Sequence, residues 1–410
     1  MRNRHPELLI PASSLEVLKT AVMFGADAVY IGGEAFGLRA KAKNFSMEDM
    51  KEGVRFAHDH GARVHVTVNI LAHNDDLEGA AEYLKELKEI GPDALIIADP
   101  AIFMLAKEIC PEIERHVSTQ ANNTNYGTFN FWWNLGAKRV VTARELSLKE
   151  IKEIRAHIPE EMEIESFIHG AMCISYSGRC LLSNFFTGRD ANQGACTHPC
   201  RWKYSVVEET RPGEYMPVYE NERGTYIFNS KDLCMIEHIP EMIDAGIDSF
   251  KIEGRMKTAL YVATVARTYR KAIDDYLEDP AKYQANMSWY QEQIAGCTYR
   301  KFTTGFFYGK PSEEAQIYDN NTYEKGYTYL GFAEAVDERG YVQITQRNKF
   351  TVGEMIEIMK PDGTNLLVPV KAIYDEEGNS VESAPHPQQK LFVDLGGEAE
   401  VYDILRRSEA

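Results

Sequence analysis

Five of the seven cysteines fall between Cys173 and Cys234. Six residues separate Cys173 from Cys180, fifteen lie before Cys196, three before Cys200 and thirty-three before Cys234. Thiolates drawn from separated positions suit an iron–sulfur cluster, which takes four cysteines. Structural zinc is usually gripped by short C-x-x-C knuckles, and none occurs here. A set of free thiols buried for packing is the plainer alternative, and that is the reading for the two isolated cysteines, Cys110 and Cys297. With five candidates for four places, spacing does not choose between Cys196 and Cys200. A disulfide framework is not expected in a cytosolic chain of 410 residues.

These cysteines need a scaffold that brings them together. From residue 7 to about 278, short apolar runs alternate with amphipathic segments. The strand candidates are Leu8–Pro11, Ala28–Gly32, Val64–Asn69, Ala94–Ala98, His116–Thr119, Arg139–Thr142, Glu163–Ile168 and Ser249–Ile252. Helical periodicity falls between them, as in Leu15–Phe24, Met47–His60, Leu77–Ile90, Phe129–Leu135 and Leu148–His157. Three junctions share a phrase, Gly25-Ala-Asp-Ala-Val29, Gly91-Pro-Asp-Ala-Leu95 and Gly246-Ile-Asp-Ser-Phe250, each a glycine helix cap running into a buried strand. Eight such alternations predict an α/β fold of the (β/α)8 TIM-like barrel type. An open doubly wound sheet is the runner-up, and no G-x-G-x-x-G follows the first strand to support it.

The rhythm breaks after the seventh strand. Residues 170–230 lack helical periodicity and are rich in Gly, Asn, Ser and Cys. A connection this long in a compact domain is usually functional, and it leaves from the strand end where barrels carry their chemistry. The clustered cysteines lie in it or just beyond it. Other polar residues fall at the same predicted ends: Asn69, Asp99, Gln120, Arg144, Glu145, His169, Glu253 and Arg255. For any one of them a structural hydrogen bond or helix cap competes with a direct role. Arg144 and Arg255 stand out because guanidinium groups grip carboxylates in bidentate fashion. Lys41 and Lys43 read as solvated surface. Trp132 and Trp133 sit at helical positions and read as core, whereas Trp202, beside Arg201 in the cysteine-rich stretch, is a credible platform for stacking a base.

The domain reading is 1–279 for the barrel, with its insertion at 170–230, then a connector at 280–327. From 328 to 410 the period changes to two, with turn signals at Arg339-Gly340, Asp362-Gly363 and Gly378-Asn379. This predicts a small all-β barrel, a module that could contact RNA. The net charge of −17 argues against broad nucleic-acid binding, leaving only local basic pairs such as Arg201/Lys203, Arg300/Lys301 and Arg347/Lys349. No membrane span is expected, and the start of the chain, Met1–Pro6, lacks the apolar stretch of a signal peptide, so the expectation is a cytoplasmic protein.

The stretch Glu165-Ser-Phe-Ile-His-Gly-Ala-Met-Cys173, followed by Gly178-Arg-Cys180-Leu-Leu-Ser183, resembles the signature of the U32 "peptidase" family, E-x-F-x-x-G-A-M-C then G-x-C-x-L-S. Gly188–Trp202, Ser230–Cys234 and Asp248–Lys257 are similar to the branch of that family comprising prephenate-dependent tRNA uridine hydroxylases. The resemblance implies an oxygen-independent hydroxylase with a 4Fe-4S cluster on Cys173, Cys180, Cys196 and Cys234, and Cys200 as a neighbour or alternative ligand. It also implies tRNA as substrate, 5-hydroxyuridine at the wobble position as product, and prephenate as the oxygen source. Glu165, His169, Arg144, Arg255 and Glu253 are the candidate catalytic groups, and Trp202, Arg201, Gln120 and Asn69 the candidate substrate contacts. Alternatives from the same resemblance are hydroxylation of ribosomal RNA or a quinone precursor, a homo-oligomer or a partner subunit, and proteolysis. For proteolysis the sequence has no H-E-x-x-H and no G-x-S-x-G. A cysteine nucleophile would need His169 or His198 as base, and thiolates committed to iron cannot also attack a carbonyl.

Overall fold

The computed structural model describes residues 5–33, 44–173, 175–189, 191–192, 196–201, 205–206, 216–217, 229–297, 301–311, 316–317 and 326–409. Seven strands, β1 (Glu7–Pro11), β2 (Ala28–Gly32), β3 (Arg63–Val68), β4 (Ala94–Ile97), β5 (Glu114–Val117), β6 (Arg139–Val141) and β7 (Glu163–Gly170), pair in parallel in chain order. A short strand, β8 (Asp232–Cys234), lies antiparallel to the end of β7. The next, β9 (Ser249–Ile252), pairs in parallel with both β7 and β1 and closes an eight-stranded barrel. Helices α1 (Leu15–Met23), α2 (Met47–Asp59), α3 (Asn74–Ile90), α4 (Pro100–Ile109), α5 (Tyr126–Leu135) and α6 (Leu148–Ala156) follow the first six strands. After β7 come α7 (Leu182–Thr187) and α8 (Ile239–Asp244), and α9 (Ala259–Glu278) follows β9. The barrel is the one the alternation implied.

Local chemistry explains the boundaries. Ser14, Ser46 and Thr258 accept the first free N–H groups of α1, α2 and α9, and α3 stops at Gly91, whose φ of 74° suits glycine. The repeated Gly-x-Asp phrase does more than end a helix. Asp27, Asp93 and Asp248 accept the backbone N–H groups of Leu8, Val64 and Ile164 at 2.7, 2.7 and 2.8 Å. Each aspartate thus ties its own strand to the start of a neighbouring one on the N-terminal face, where barrels keep their stabilising contacts.

The barrel interior is unusually charged. Arg139, 2% exposed, donates to Glu7 at 2.5 Å, Glu163 at 2.7 Å and Glu165 at 3.1 Å. Lys251 donates to Glu165 at 2.6 Å and Arg63 to Glu114 at 2.7 Å. Apolar packing inside the barrel comes from Leu9, Ala28, Tyr30 and Ile96.

Helices α10 (Pro280–Ala285) and α11 (Met287–Ala295) follow the barrel, and Phe302–Thr303 pairs with β8. The C-terminal strands, Tyr327–Val336 through Ile404–Ser408, form one antiparallel eight-stranded half-barrel around a core of Leu330, Ile344, Ile358, Leu391 and Leu405. It docks on the barrel domain through Tyr329, which donates to Glu16 at 2.9 Å, and Arg267 of α9, which donates to the Lys360 carbonyl at 2.9 Å. Among the described residues no helix is long and apolar enough to cross a membrane.

Candidate functional site

A cavity of about 480 Å³ opens at the C-terminal ends of the strands. Its floor and walls come from Tyr30, Thr67, Asn69, Ser118, Phe167 and Lys251, and from Gln120, Arg144, Glu253 and Arg255 just beyond strand ends. Cys173, Cys180, Cys196, Cys200 and Arg189 border it from the insertion. Among these lining residues Arg144, Arg189, Lys251 and Arg255 are cationic, and Glu253 is the one carboxylate. A chain of net charge −17 therefore presents a locally positive cleft, which draws anions.

The cations are held in place. The Arg255 guanidinium, 5% exposed, donates to Asn44 Oδ1 at 2.6 Å and Thr67 Oγ1 at 3.2 Å. It crosses directly over Gly32, where a Cβ would lie 2.3 Å from Nη2, so a larger residue there would displace the guanidinium. Arg144 stacks over Phe167 at 4.0 Å, donates to the Ala171 carbonyl at 2.8 Å and lies 3.6 Å from Glu253. Lys251 sits 4.5 Å above the Tyr30 ring while bonded to Glu165. Lys251 and Tyr30 were not singled out in the sequence. A lysine inside an otherwise apolar parallel strand, two residues before Glu253 and so facing the same way, is the signal that could have found it.

Other sequence candidates lie elsewhere. His169 is not among the cavity's lining residues. The β7–β9 register slips between Lys251 and Ile252, so that Ile168 is bulged and His169 pairs with Ile252. A bulge re-aims the following side chain, and the imidazole packs on Phe302 and Tyr269, with Nδ1 3.3 Å from Tyr269 Oη. Burial, with Lys257 adding repulsion, pushes it down to about 3, so it is neutral. Glu165 lies below the cavity, bonded to Lys251 and Arg139. Asp99 caps α4, accepting from Ala101 N–H at 2.8 Å, and Glu145 does not line the cavity. Trp132 is buried, donating to Asn123 Oδ1 at 2.9 Å, and Trp133 packs against the core. Trp202, Lys203, Lys41, Lys43, Arg300 and the Arg201 side chain lie outside the described residues. Lys301 is exposed, with its carbonyl accepting from Asp232 N–H, Arg347 pairs with Glu16, and the Lys349 carbonyl accepts from Arg407.

The cysteine loop is clamped by the turn after β5. Asn122, in the left-handed region at φ 54°, accepts from Arg179 Nε at 2.8 Å and donates to the Ser177 carbonyl at 3.4 Å. The Gln120 amide rests on Gly178, where a Cβ would meet Oε1 at 2.2 Å, and that buried oxygen has no hydrogen-bond partner among the described residues. Replacing Asn122 with alanine removes both loop contacts and disfavours the left-handed backbone, a loss of about 1–2 kcal/mol. The expected result is faster limited proteolysis between residues 173 and 189, with Asn122→Gly, which keeps the backbone, intermediate between the two.

All seven cysteines are free thiols, Cys110 and Cys297 fully buried. Burial pushes the Cys196 thiol up, and the neighbouring Cys173 and Cys180 push it further, against a hydrogen bond from the His198 N–H. Thiols that would repel one another as thiolates fit a centre whose iron takes up that charge. Cys234 is placed differently. It sits on β8 opposite His169, with Sγ 3.7 Å from Tyr269 Oη, and burial pushes it up to about 11. It does not line the cavity, whereas Cys200 does. The residues present fit an iron–sulfur cluster, with three shared ligands and two contenders for the fourth position. His198 also lines the cavity, so of the two histidines considered for a cysteine peptidase this one borders Cys173, Cys180, Cys196 and Cys200, and His169 lies opposite Cys234.

The model of peptidase family U32 matches residues 13–317, and that of the U32 C-terminal domain matches residues 325–406. The chain is 44% identical over 407 residues to "tRNA hydroxylation protein P1" of Bacillus subtilis, an alignment covering 99% of this chain and 96% of that protein. It is 37% identical to "tRNA hydroxylation protein P" of Escherichia coli, covering 98% and 97% of the two chains. To the Escherichia coli "23S rRNA 5-hydroxycytidine C2501 synthase" it is 40% identical over 67% of this chain and 40% of that one.

Proposed function

The chain belongs to peptidase family U32, and we propose that it is a tRNA hydroxylase, forming 5-hydroxyuridine at the wobble position without dioxygen and with prephenate as the source of oxygen. The observation that carries the reading is a single cavity bordered by four cysteines on one side and by Lys251, Arg144 and Arg255 on the other. The names of the relatives that align over nearly the whole chain support the tRNA-hydroxylation part of the reading.

The cluster is assigned to Cys173, Cys180 and Cys196 with either Cys234 or Cys200. When bound, it supplies a Lewis-acidic or electron-carrying iron. The chain's own residues supply binding and order. Arg255 and Arg144, held by Asn44, Thr67 and the Ala171 carbonyl, offer a dicarboxylate fixed guanidinium donors. Lys251 adds a point charge at the floor. Asn69, which donates to Ser118 Oγ at 3.2 Å, and Gln120 offer amides that suit the edge of a base. Exposed Tyr176 and Met256 on the cavity wall offer apolar surface on which flanking bases can stack.

The test is anaerobic incubation of the iron-loaded protein with unmodified tRNA, with and without prephenate, followed by nucleoside mass analysis. Product is expected only with prephenate present; equal product without it, or none with it, contradicts the reading. In the same assay Arg255→Lys should raise the prephenate concentration needed for half-maximal rate by about 10–100-fold, because a lysine cannot reproduce the forked contact. Its affinity for tRNA should stay unchanged.

A further inference from the structure

Inward-facing residues of alternate strands share a layer in a barrel of this type. His65 of β3, His116 of β5 and Glu165 of β7 form such a set, each with no exposed surface. Two residues further along the same strands, Thr67, Ser118 and Phe167 line the cavity, so this layer lies directly beneath its floor.

The three side chains converge. One ligand atom from each lies within 4.8 Å of the others, and the two imidazole rings meet edge to face at 4.8 Å. Their hydrogen bonding is incomplete in a specific way. The His116 Nε2 lies 3.1 Å from Glu114 Oε2, which fixes a proton on that nitrogen, and Nδ1 is left buried with no partner. Among the described residues, His65 has no partner on either nitrogen. Buried polar atoms are ordinarily paired, so unpartnered nitrogens on two histidines that converge with a carboxylate need an explanation. A histidine that gives its outer N–H to a carboxylate and keeps the inner lone pair free has the arrangement of a metal ligand with its supporting shell. Glu165 is oriented in the same fashion by Arg139 at 3.1 Å.

We propose that His65, His116 and Glu165 bind one divalent transition-metal cation, such as Zn2+, inside the barrel beneath the substrate cavity. Two imidazoles and one carboxylate suit a borderline cation, not Mg2+ or Ca2+, which favour oxygen ligands. The carboxylates of Glu7, Glu114, Glu163 and Glu165 pair with Arg139, Lys251, Arg63 and Lys138, so acids and bases around the layer balance before an ion enters. Lys251 occupies Glu165 Oε1, and each carboxylate oxygen keeps a second lone pair for an ion. The ion would tie β3, β5 and β7 together below the chemistry, so its role is structural support of the cavity floor.

The experiment is a Co2+ titration of the full chain, stripped of metal by chelator without air, followed by visible spectroscopy and metal analysis. Cobalt on nitrogen and oxygen ligands shows ligand-field bands without the sulfur-to-metal charge transfer that cobalt on the cysteines produces. The expected result is one cobalt equivalent lacking charge transfer, lost or weakened at least about a hundredfold in His65→Leu. Should His65→Leu fail to fold by circular dichroism, His116→Gln is read in its place. The proposal is overturned if all bound cobalt shows charge transfer, or if the variant binds as many equivalents as the parent. It is likewise overturned if His65→Leu is more heat-stable than the parent and saturating Zn2+ leaves the parent's melting temperature unchanged, the result for a site that holds water or nothing.

Discussion

Cys173→Ala is expected to lose its iron on anaerobic purification and to hydroxylate tRNA at least about a hundredfold more slowly than the parent. Cys173, Cys180 and Cys196 open onto one cavity and lie close enough for their charges to act on one another. A four-cysteine cluster that loses one of these three is left with three of its original ligands. Iron and sulfide per chain, read together with the visible absorption, check the outcome. The more informative pair is Cys200→Ala and Cys234→Ala. The family resemblance assigns the fourth place to Cys234, and the cavity places Cys200 beside the other three. For Cys234 to serve, β8 has to give up the contact between its thiol and Tyr269. One variant of the pair should keep its iron and the other lose it; retention in both would remove the four-cysteine assignment.

The second large effect is on stability. Arg139→Met should cost about 3–5 kcal/mol, because it leaves Glu7, Glu163 and Glu165 without the guanidinium that all three share. The pH dependence should change as well. In the parent, burial would push Glu7 up, but the Arg139 charge and hydrogen bond overcome it and hold the carboxyl well below the usual range. A group with a depressed folded pKa stabilises fully above its unfolded value of about 4.3, and that stability is lost as pH falls below it. The parent should therefore lose this contribution only below about pH 4.3, while the buried neutral His65, His116 and His169 lower the stability of both proteins as pH falls below about 6.5. In Arg139→Met burial meets less opposition and raises Glu7, so the variant should gain stability relative to the parent as pH falls from 7 toward about 5. Urea denaturation across that range distinguishes the two slopes. A variant with the parent's slope would mean that Arg139 does not govern these carboxylates.

The strands, helices and barrel closure were legible because period and capping agree, as at Gly91, where a helix cap runs straight into β4. What the sequence did not reveal depends on single-residue register or on contacts between distant segments. His169 looked like a mouth residue because strand alternation carries Phe167 and His169 to the same face, and one bulged residue, Ile168, breaks that alternation. Asp99 looked like a substrate contact because it ends a strand, and the same position is where a helix needs its cap. The Gly-x-Asp phrase was read as punctuation, although its aspartate bonds a strand that lies nineteen residues away for Asp27 and eighty-four for Asp248. Lys251 carried a signal in its strand two residues before Glu253, but its pairing with Glu165 needed coordinates. The placing of Cys200 at the cavity and Cys234 against Tyr269 likewise needed coordinates, since spacing carries no information about which wall a thiol faces.

The account is tested most directly by the wobble nucleoside itself. Transfer RNA from a strain lacking this gene and any second homologue would be digested and analysed by mass, with the parent gene or its Cys173→Ala variant restored. The account predicts uridine bearing one added oxygen when the parent is restored and unmodified uridine with the variant. Unmodified uridine with both, or the oxygenated nucleoside with both, would contradict it.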